Sequence, residues 1–182
     1  MCGIAGVIHL DGRPLLGGRD DRILENMGNA MAHRGPDDAR SILCNNVGFV
    51  FRRLSIVDIG GGRQPFVTHG DRIVAMVNGE IFNHKAIRRD VLCDVALQSH
   101  SDCEVIPHLY VQRGLDLFGP TNGMFAVALL DRREQRVLLG RDRLGKKPLF
   151  YCIVDDGRTL VFGSELKALF AHPSVPRRFD WV

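Results

Sequence analysis

A layered α+β fold is the class that this sequence predicts. Three observations predict it. The opening run Gly3-Ile4-Ala5-Gly6-Val7-Ile8 is too continuously apolar for a strand with one wet face, so it reads as a strand covered on both faces. Helical periodicity is concentrated in insertions between strands. The last third returns to short apolar runs separated by turns. Strands that are apolar on both faces, interrupted by helices, call for two stacked sheets with helices outside them.

The elements follow in chain order. The opening strand reaches about Leu10, and Asp11-Gly12-Arg13-Pro14 is a turn. Over residues 19–31, Ile23, Leu24, Met27, Ala30 and Met31 recur at helical spacing, and Gly35-Pro36 stops that helix. Strands at 41–44 and 47–52 flank Asn45-Asn46 as a hairpin turn. Arg53-Leu54-Ser55-Ile56-Val57-Asp58 leaves the second strand, Gly60-Gly61-Gly62 breaks the chain, and Gln64-Pro65 leads into a loop. A strand over 73–77 ends at Asn78-Gly79-Glu80, and a short helix covers 84–89. Asp102 opens another helix as its N-cap, with Val105, Ile106, Leu109 and Tyr110 on one face. Further strands are expected at 124–130, 137–140, 149–153 and 159–162, and Ser164 caps a last helix over 165–170.

Composition narrows the function classes. The chain has 182 residues, 45% of them hydrophobic and 25% charged, which is ordinary for one globular domain with a real core. No apolar run approaches membrane-spanning length, and no basic region precedes the opening run, so neither a membrane nor a signal peptide is read here. A net charge of +3 is too weak and dispersed to argue for nucleic acid. The five cysteines form no C-x-x-C pair or regular framework, and the seven histidines show no metal-ligand spacing. No metal site is expected, and a reducing, cytoplasmic compartment fits. Gly140-Arg141-Asp142-Arg143-Leu144-Gly145-Lys146-Lys147 nearly matches a phosphate-binding loop. It has Lys147 in place of the hydroxyl residue and a strand where a helix is required, so it reads as a basic hairpin turn.

The chemistry-bearing residues begin at Cys2. Once Met1 is removed, one residue carries a thiol and an α-amine whose ordinary pKa of about 7.7–8.0 lets it serve as general base. A small buried cysteine is the bland alternative. Arg52 reads as a solvated strand end, whereas Arg53, fixed by the run after it, is suited to hold a carboxylate bidentately. Asn78-Gly79 is a common hairpin dipeptide. It would also offer a side-chain amide and a backbone N–H to a developing oxyanion. Glu80 and Asp102 supply carboxylates for an ammonium group, Asp102 doubling as a cap. A substrate with an α-carboxylate, an α-ammonium and a cleavable acyl group is an amino acid with a side-chain amide, and glutamine fits.

Met-Cys-Gly-Ile-Ala-Gly, His33-Arg34-Gly35-Pro36-Asp37, the 53–58 run and the segments 77–83, 101–105, 122–125, 141–151 and 163–169 resemble, in order, the class II glutamine amidotransferases. The nearest resemblance is to the glutaminase domain of glutamine-hydrolysing asparagine synthetases. It covers essentially the whole chain; Phe51 departs from it, standing where histidine is expected. The resemblance implies a four-layer αββα sandwich of the N-terminal-nucleophile hydrolase type. It makes Cys2 the nucleophile, Asn78 and Gly79 the oxyanion hole, Arg53 the α-carboxylate site, Glu80 and Asp102 the α-ammonium site, and the backbone near Ile56 a further contact. His33–Asp37 is architecture near the site. The implied substrate is L-glutamine, hydrolysed to glutamate and ammonia, and the implied partner is a synthetase that accepts the ammonia; a homodimer is left open. Residues 1–182 form a single glutaminase domain in this reading, and the synthetase domain expected after it is absent. No cofactor is expected in this chain, because ATP and Mg belong to that missing domain. Two rival readings remain: an idle domain that only docks on a separate synthetase, and the glutaminase part of another amidotransferase such as glucosamine-phosphate synthase.

Overall fold

Among the described residues there are nine strands and four α-helices, with the helices falling between runs of strands and after the last one, and each strand pairing is antiparallel. The structure is a computed structural model that describes residues 1–56, 58 and 60–178. Val57 of the 53–58 run and the terminal Asp180-Trp181-Val182 lie outside the described residues. The chain divides into two compact units, one of Cys2–Arg53 with the chain from Leu149 onward, the other of Leu54–Pro148 with Met1.

The first unit holds a five-stranded sheet. Its strands are β1 (Gly3–His9), β2 (Asp38–Cys44), β3 (Val47–Arg53), β8 (Phe150–Val154) and β9 (Thr159–Gly163), in the order β2-β3-β1-β9-β8. All seven residues of β1 are buried, as an uninterrupted apolar run requires. Ala5, Val7, Val50 and Val161 face helix α1 (Arg19–Ala30), which contributes Ile23, Leu24 and Met27 to the same core. Ala168 and Leu169 of α4 (Leu166–Leu169) close it. The turn between β2 and β3 places Asn45 at φ 53°, a conformation asparagine tolerates.

The second unit holds β4 (Phe66–Thr68), β5 (Ile73–Ile81), β6 (Gly123–Asp131) and β7 (Arg136–Arg141), hydrogen-bonded in that order. Ile73, Ala75, Val77 and Ile81 of β5 join Phe125, Val127 and Leu129 of β6 against Val105, Ile106, Leu109 and Tyr110. The last four belong to α3 (Val105–Arg113), and α2 (His84–Asp90) adds Ile87. The α+β class is as expected, and the pairings in both sheets are antiparallel. No helix among the described residues is long and apolar enough to cross a membrane.

Several local expectations are corrected. Asn78-Gly79-Glu80 is not a turn: β5 runs on to Ile81, because β6 offers a full partner from Met124 to Ala126. Asp102 does not cap α3. It lies in a 3-10 turn, Asp102–Glu104, ahead of it, and Pro107 sits in the first turn of α3, where a missing N–H is tolerated. Ser164 makes no cap either, since Glu165 is the N-cap of α4. The basic segment after β7 is no hairpin, because β7 and β8 belong to different sheets. The loop expected after Gln64-Pro65 contains the short strand β4. Arg52 is half-buried with its Nε enclosed rather than solvated.

Candidate active site

Cys2 sits one residue before β1, so the ladder fixes its surroundings. Gly3 pairs with Arg52 and Ile4 with Phe51, and one further step along that ladder brings Cys2 opposite Arg53. Side chains alternate along strands, so Cys2 shares the face of Ile4 and Arg53 that of Phe49 and Phe51. Val50, between those phenylalanines, faces α1, which puts Arg53 and Cys2 on the sheet face away from that helix. Arg53 is buried, and this is where a guanidinium presented to a carboxylate must be well held.

The segment read as architecture does hold this end together. Arg34 Nε donates to the Cys2 carbonyl at 2.9 Å, and its Nη1 donates to Glu165 Oε1 at 3.0 Å. His33 and Lys167 also meet that carboxylate, at 3.0 and 3.2 Å. Burial pushes the Glu165 carboxyl up, but Arg34, Lys167 and His33 together hold it below its usual range. The Asp37 N–H donates to the Arg53 carbonyl at 3.0 Å. Gly35 lies so close to β3 that a Cβ there would fall 2.4 Å from the Arg52 carbonyl carbon, and only glycine fits. Ser164 Oγ accepts the Ile4 N–H at 3.1 Å, and Ile4 O accepts the Ser164 N–H at 2.8 Å. Arg34, Glu165 and Ser164 were missed as site residues. Their contacts span from 32 residues, Arg34 to Cys2, to 160, Ser164 to Ile4, and local spacing does not signal such partners.

The other unit gathers Asn78, Gly79, Glu80 and Asp102 at the end of β5. Asn78 is buried and Glu80 half-buried, both on the face away from α3. Gly79 pairs with Phe125, whose N–H and C=O are both engaged by Asp142, at 3.2 and 2.8 Å. The Gly79 pair is therefore one of the non-hydrogen-bonded positions of the ladder, and its own N–H and C=O point to the opposite edge. On that edge Val77 is clamped by Gln64, which accepts from its N–H at 2.7 Å and donates to its C=O at 3.1 Å. Cys103 Sγ donates to the Gly79 carbonyl at 3.4 Å. Asp102 Oδ2 accepts the Ile81 N–H at 2.6 Å. The Gly79 N–H lies between these anchors and has no acceptor among the described residues. Gly79 also has to be glycine, since a Cβ would fall 2.1 Å from the Met124 carbonyl oxygen.

The donors predicted for an oxyanion thus belong to a strand edge and a strand face, not to a turn. Gln64 was passed over because an X-Pro loop gives no hint of a backbone clamp. Asp58 ties its loop to the same region, accepting from His100 N–H at 2.9 Å and Gly61 N–H at 3.0 Å. Ile56 is exposed in that loop. The basic segment is organised by Asp142. Burial opposes its ionisation, but the N–H groups of Lys146, Lys147, Phe125 and Leu144 hold its carboxyl low.

A profile of the glutamine amidotransferase domain matches residues 1–181. The chain belongs to that family. The N-terminal-nucleophile hydrolase type goes with the family, and the two antiparallel sheets with their helices are its observed parts. The amidotransferase domain is 45% identical over its whole length to asparagine synthetase [glutamine-hydrolyzing] 2 of Bacillus subtilis. It is 42% identical over 76% of its length to asparagine synthetase B of Escherichia coli. It is 38% identical over 93% of its length to asparagine synthetase 3 of Arabidopsis thaliana. It spans about a quarter of the length of these relatives, 24%, 25% and 28% respectively.

Proposed function

We propose that this domain is a glutaminase that supplies ammonia for an asparagine-synthetase-like amidation. The supporting observation is the β1–β3 register, which carries Cys2 to the sheet end where β3 finishes at Arg53, in a chain whose other unit keeps Asn78, Gly79, Glu80 and Asp102 along one strand end. Arg53 holds the α-carboxylate of L-glutamine, Glu80 and Asp102 receive its α-ammonium, and the backbone near Ile56 adds a contact. The α-amine of Cys2, unblocked by loss of Met1, takes the thiol proton. The thiolate attacks the side-chain amide carbon, and the oxyanion is held by the Asn78 amide and the Gly79 N–H. The proton passes to the leaving nitrogen, ammonia departs, and a γ-glutamyl thioester remains. Water hydrolyses it, giving glutamate and restoring the thiol.

The chain is one glutaminase domain in this reading. It works beside a synthetase that consumes the ammonia and holds the ATP and Mg, and a cytoplasmic setting keeps the thiol reduced. A docking-only role would not require Cys2, Arg53, Asn78, Glu80 and Asp102 together, and the relatives named above are glutamine-hydrolysing asparagine synthetases. A thiol-reactive glutamine analogue is expected to add one adduct mass at Cys2 and abolish glutamine hydrolysis. Labelling that persists in Cys2→Ala would show that the nucleophile is another residue.

A further inference from the structure

Strand β5 outruns its neighbour. β4 pairs with it only from Ile73 to Ala75, so beyond that point the outer edge of β5 meets no strand among the described residues. Backbone groups alternate along an antiparallel ladder, and those presented to this edge belong to Ala75, Val77, Gly79 and Ile81. Side chains take the place of the missing strand. Gln64 meets both groups of Val77, Cys103 Sγ donates to the Gly79 carbonyl, and Asp102 Oδ2 accepts the Ile81 N–H. The Gly79 N–H alone is passed over.

Gln64 is the anchor that engages two groups at once. Gln64 is 6% exposed and Val77 1%, so neither has water to fall back on. A primary amide carries an acceptor and a donor side by side. Here Oε1 accepts the Val77 N–H at 2.7 Å and Nε2 donates to the Val77 carbonyl at 3.1 Å. The side chain thus does the work of a paired strand residue, but for one residue only. Two steps past the Phe66–Ala75 pair, the β4 register sets position 64 opposite Val77; two more would set a backbone residue opposite Gly79. A strand continued that far would consume the Gly79 N–H, whereas an amide satisfies Val77 and stops. The Val77 carbonyl is also one end of the planar peptide that leads into Asn78, so the clamp orients the backbone from which the buried Asn78 side chain rises.

We propose that Gln64 is a positioning residue for the transition state of glutamine hydrolysis. Its clamp on Val77 sets the β5 edge so that the Asn78 amide and the Gly79 N–H meet the developing oxyanion. The inference rests on the oxyanion role proposed above for those two donors. Gln64 reaches the reaction only through the backbone that it holds. Its loss therefore acts on kcat, since the carboxylate and ammonium of glutamine are gripped by other residues. Donors displaced by about 1 Å cost up to roughly 10²-fold in rate.

The test uses the 182-residue chain processed to begin at Cys2, with two variants. Gln64→Met keeps the length of the side chain and loses both bonds. Gln64→Glu, when ionised, keeps an acceptor for the Val77 N–H and loses the donor. Three quantities are measured: kcat and KM for glutamine, the affinity for L-glutamate, and the affinity for a glutamine analogue with an aldehyde in place of the side-chain amide. The Cys2 thiolate adds to the aldehyde carbon, and the carbonyl electron pair moves to oxygen, so the adduct carries the oxyanion; L-glutamate carries none. Gln64→Met should lower kcat roughly ten- to hundredfold and weaken the aldehyde by a similar factor, with KM and L-glutamate affinity changed less than about threefold. Gln64→Glu should show a smaller loss of the same kind. Asn78→Ala is the reference: if it alters neither kcat nor aldehyde affinity, the oxyanion reading itself fails. If Asn78→Ala weakens the aldehyde but both Gln64 variants leave it unchanged, or weaken L-glutamate as much as the aldehyde, the positioning role is overturned and the oxyanion reading stands.

Discussion

Replacing Glu104 by glutamine should remove a pH-dependent share of stability that the structure allows to be sized. The Glu104 side chain is only 1% exposed. Its Oε1 accepts the Gln98 N–H at 2.6 Å, and its Oε2 accepts the Ser99 N–H at 2.8 Å and the Ser99 hydroxyl at 2.6 Å. His108 Nε2 stands 3.8 Å from Oε1. Burial pushes this carboxyl up, but His108, Ser99 and the two backbone donors outweigh it and hold the pKa at about 2 instead of 4.5. That lowering corresponds to about 3 kcal/mol of preference for the ionised form in the folded state. Because the folded value lies below the unfolded one, this contribution is complete above pH 4.5. It fades as pH falls towards 2 and is gone below that. Glutamine is neutral throughout, and its amide N–H₂ would face N–H donors. Urea denaturation followed by far-UV circular dichroism should therefore give a gap of about 3 kcal/mol between wild type and Glu104→Gln at neutral pH. The gap should shrink steadily below pH 4.5, since carboxylates common to both chains cancel in the difference. A gap that is negligible at neutral pH, or that stays constant down to pH 3, would refute the reasoning. Glu104 also fixes the segment leading to Asp102, so the variant should bind glutamine more weakly as well.

Gly35→Ala must displace β3, because its Cβ would meet the Arg52 carbonyl carbon at 2.4 Å; a loss of roughly 2–3 kcal/mol and a higher KM are expected, and an unchanged melting temperature would contradict this. Arg53→Lys should raise KM with little change in kcat, since the α-carboxylate is unaltered by the reaction. Asn78→Ala should instead lower kcat by roughly 10²–10³, and an effect on KM alone would remove it from the oxyanion role. Intact-mass measurement should find the chain beginning at Cys2. A version with residues left before Cys2 should be nearly inactive until cleaved, and equal rates before and after cleavage would exclude the α-amine as base.

The sequence alone determined the elements whose periodicity is strong. The buried β1, the helix carrying Ile23, Leu24 and Met27, and the strands β6 and β9 were legible because apolar spacing reports burial directly. The residues proposed to act were chosen by type, a thiol behind Met1 and an arginine ahead of a position-fixing run. Tertiary structure decided how they are held. Asn78-Gly79 carries a turn signature, yet pairing with β6 overrides it, because a continuous ladder satisfies more backbone groups than a turn would. Asp102 and Ser164 look like helix caps, yet each accepts a backbone N–H from a strand distant in sequence, Ile81 and Ile4. Gln64, Arg34 and Glu165 lie in segments read as a loop, as architecture and as a helix start, and none of those signals names the partners they bond. Local propensity describes what a residue can bond nearby, whereas the partners of these side chains exist only after the sheets have formed.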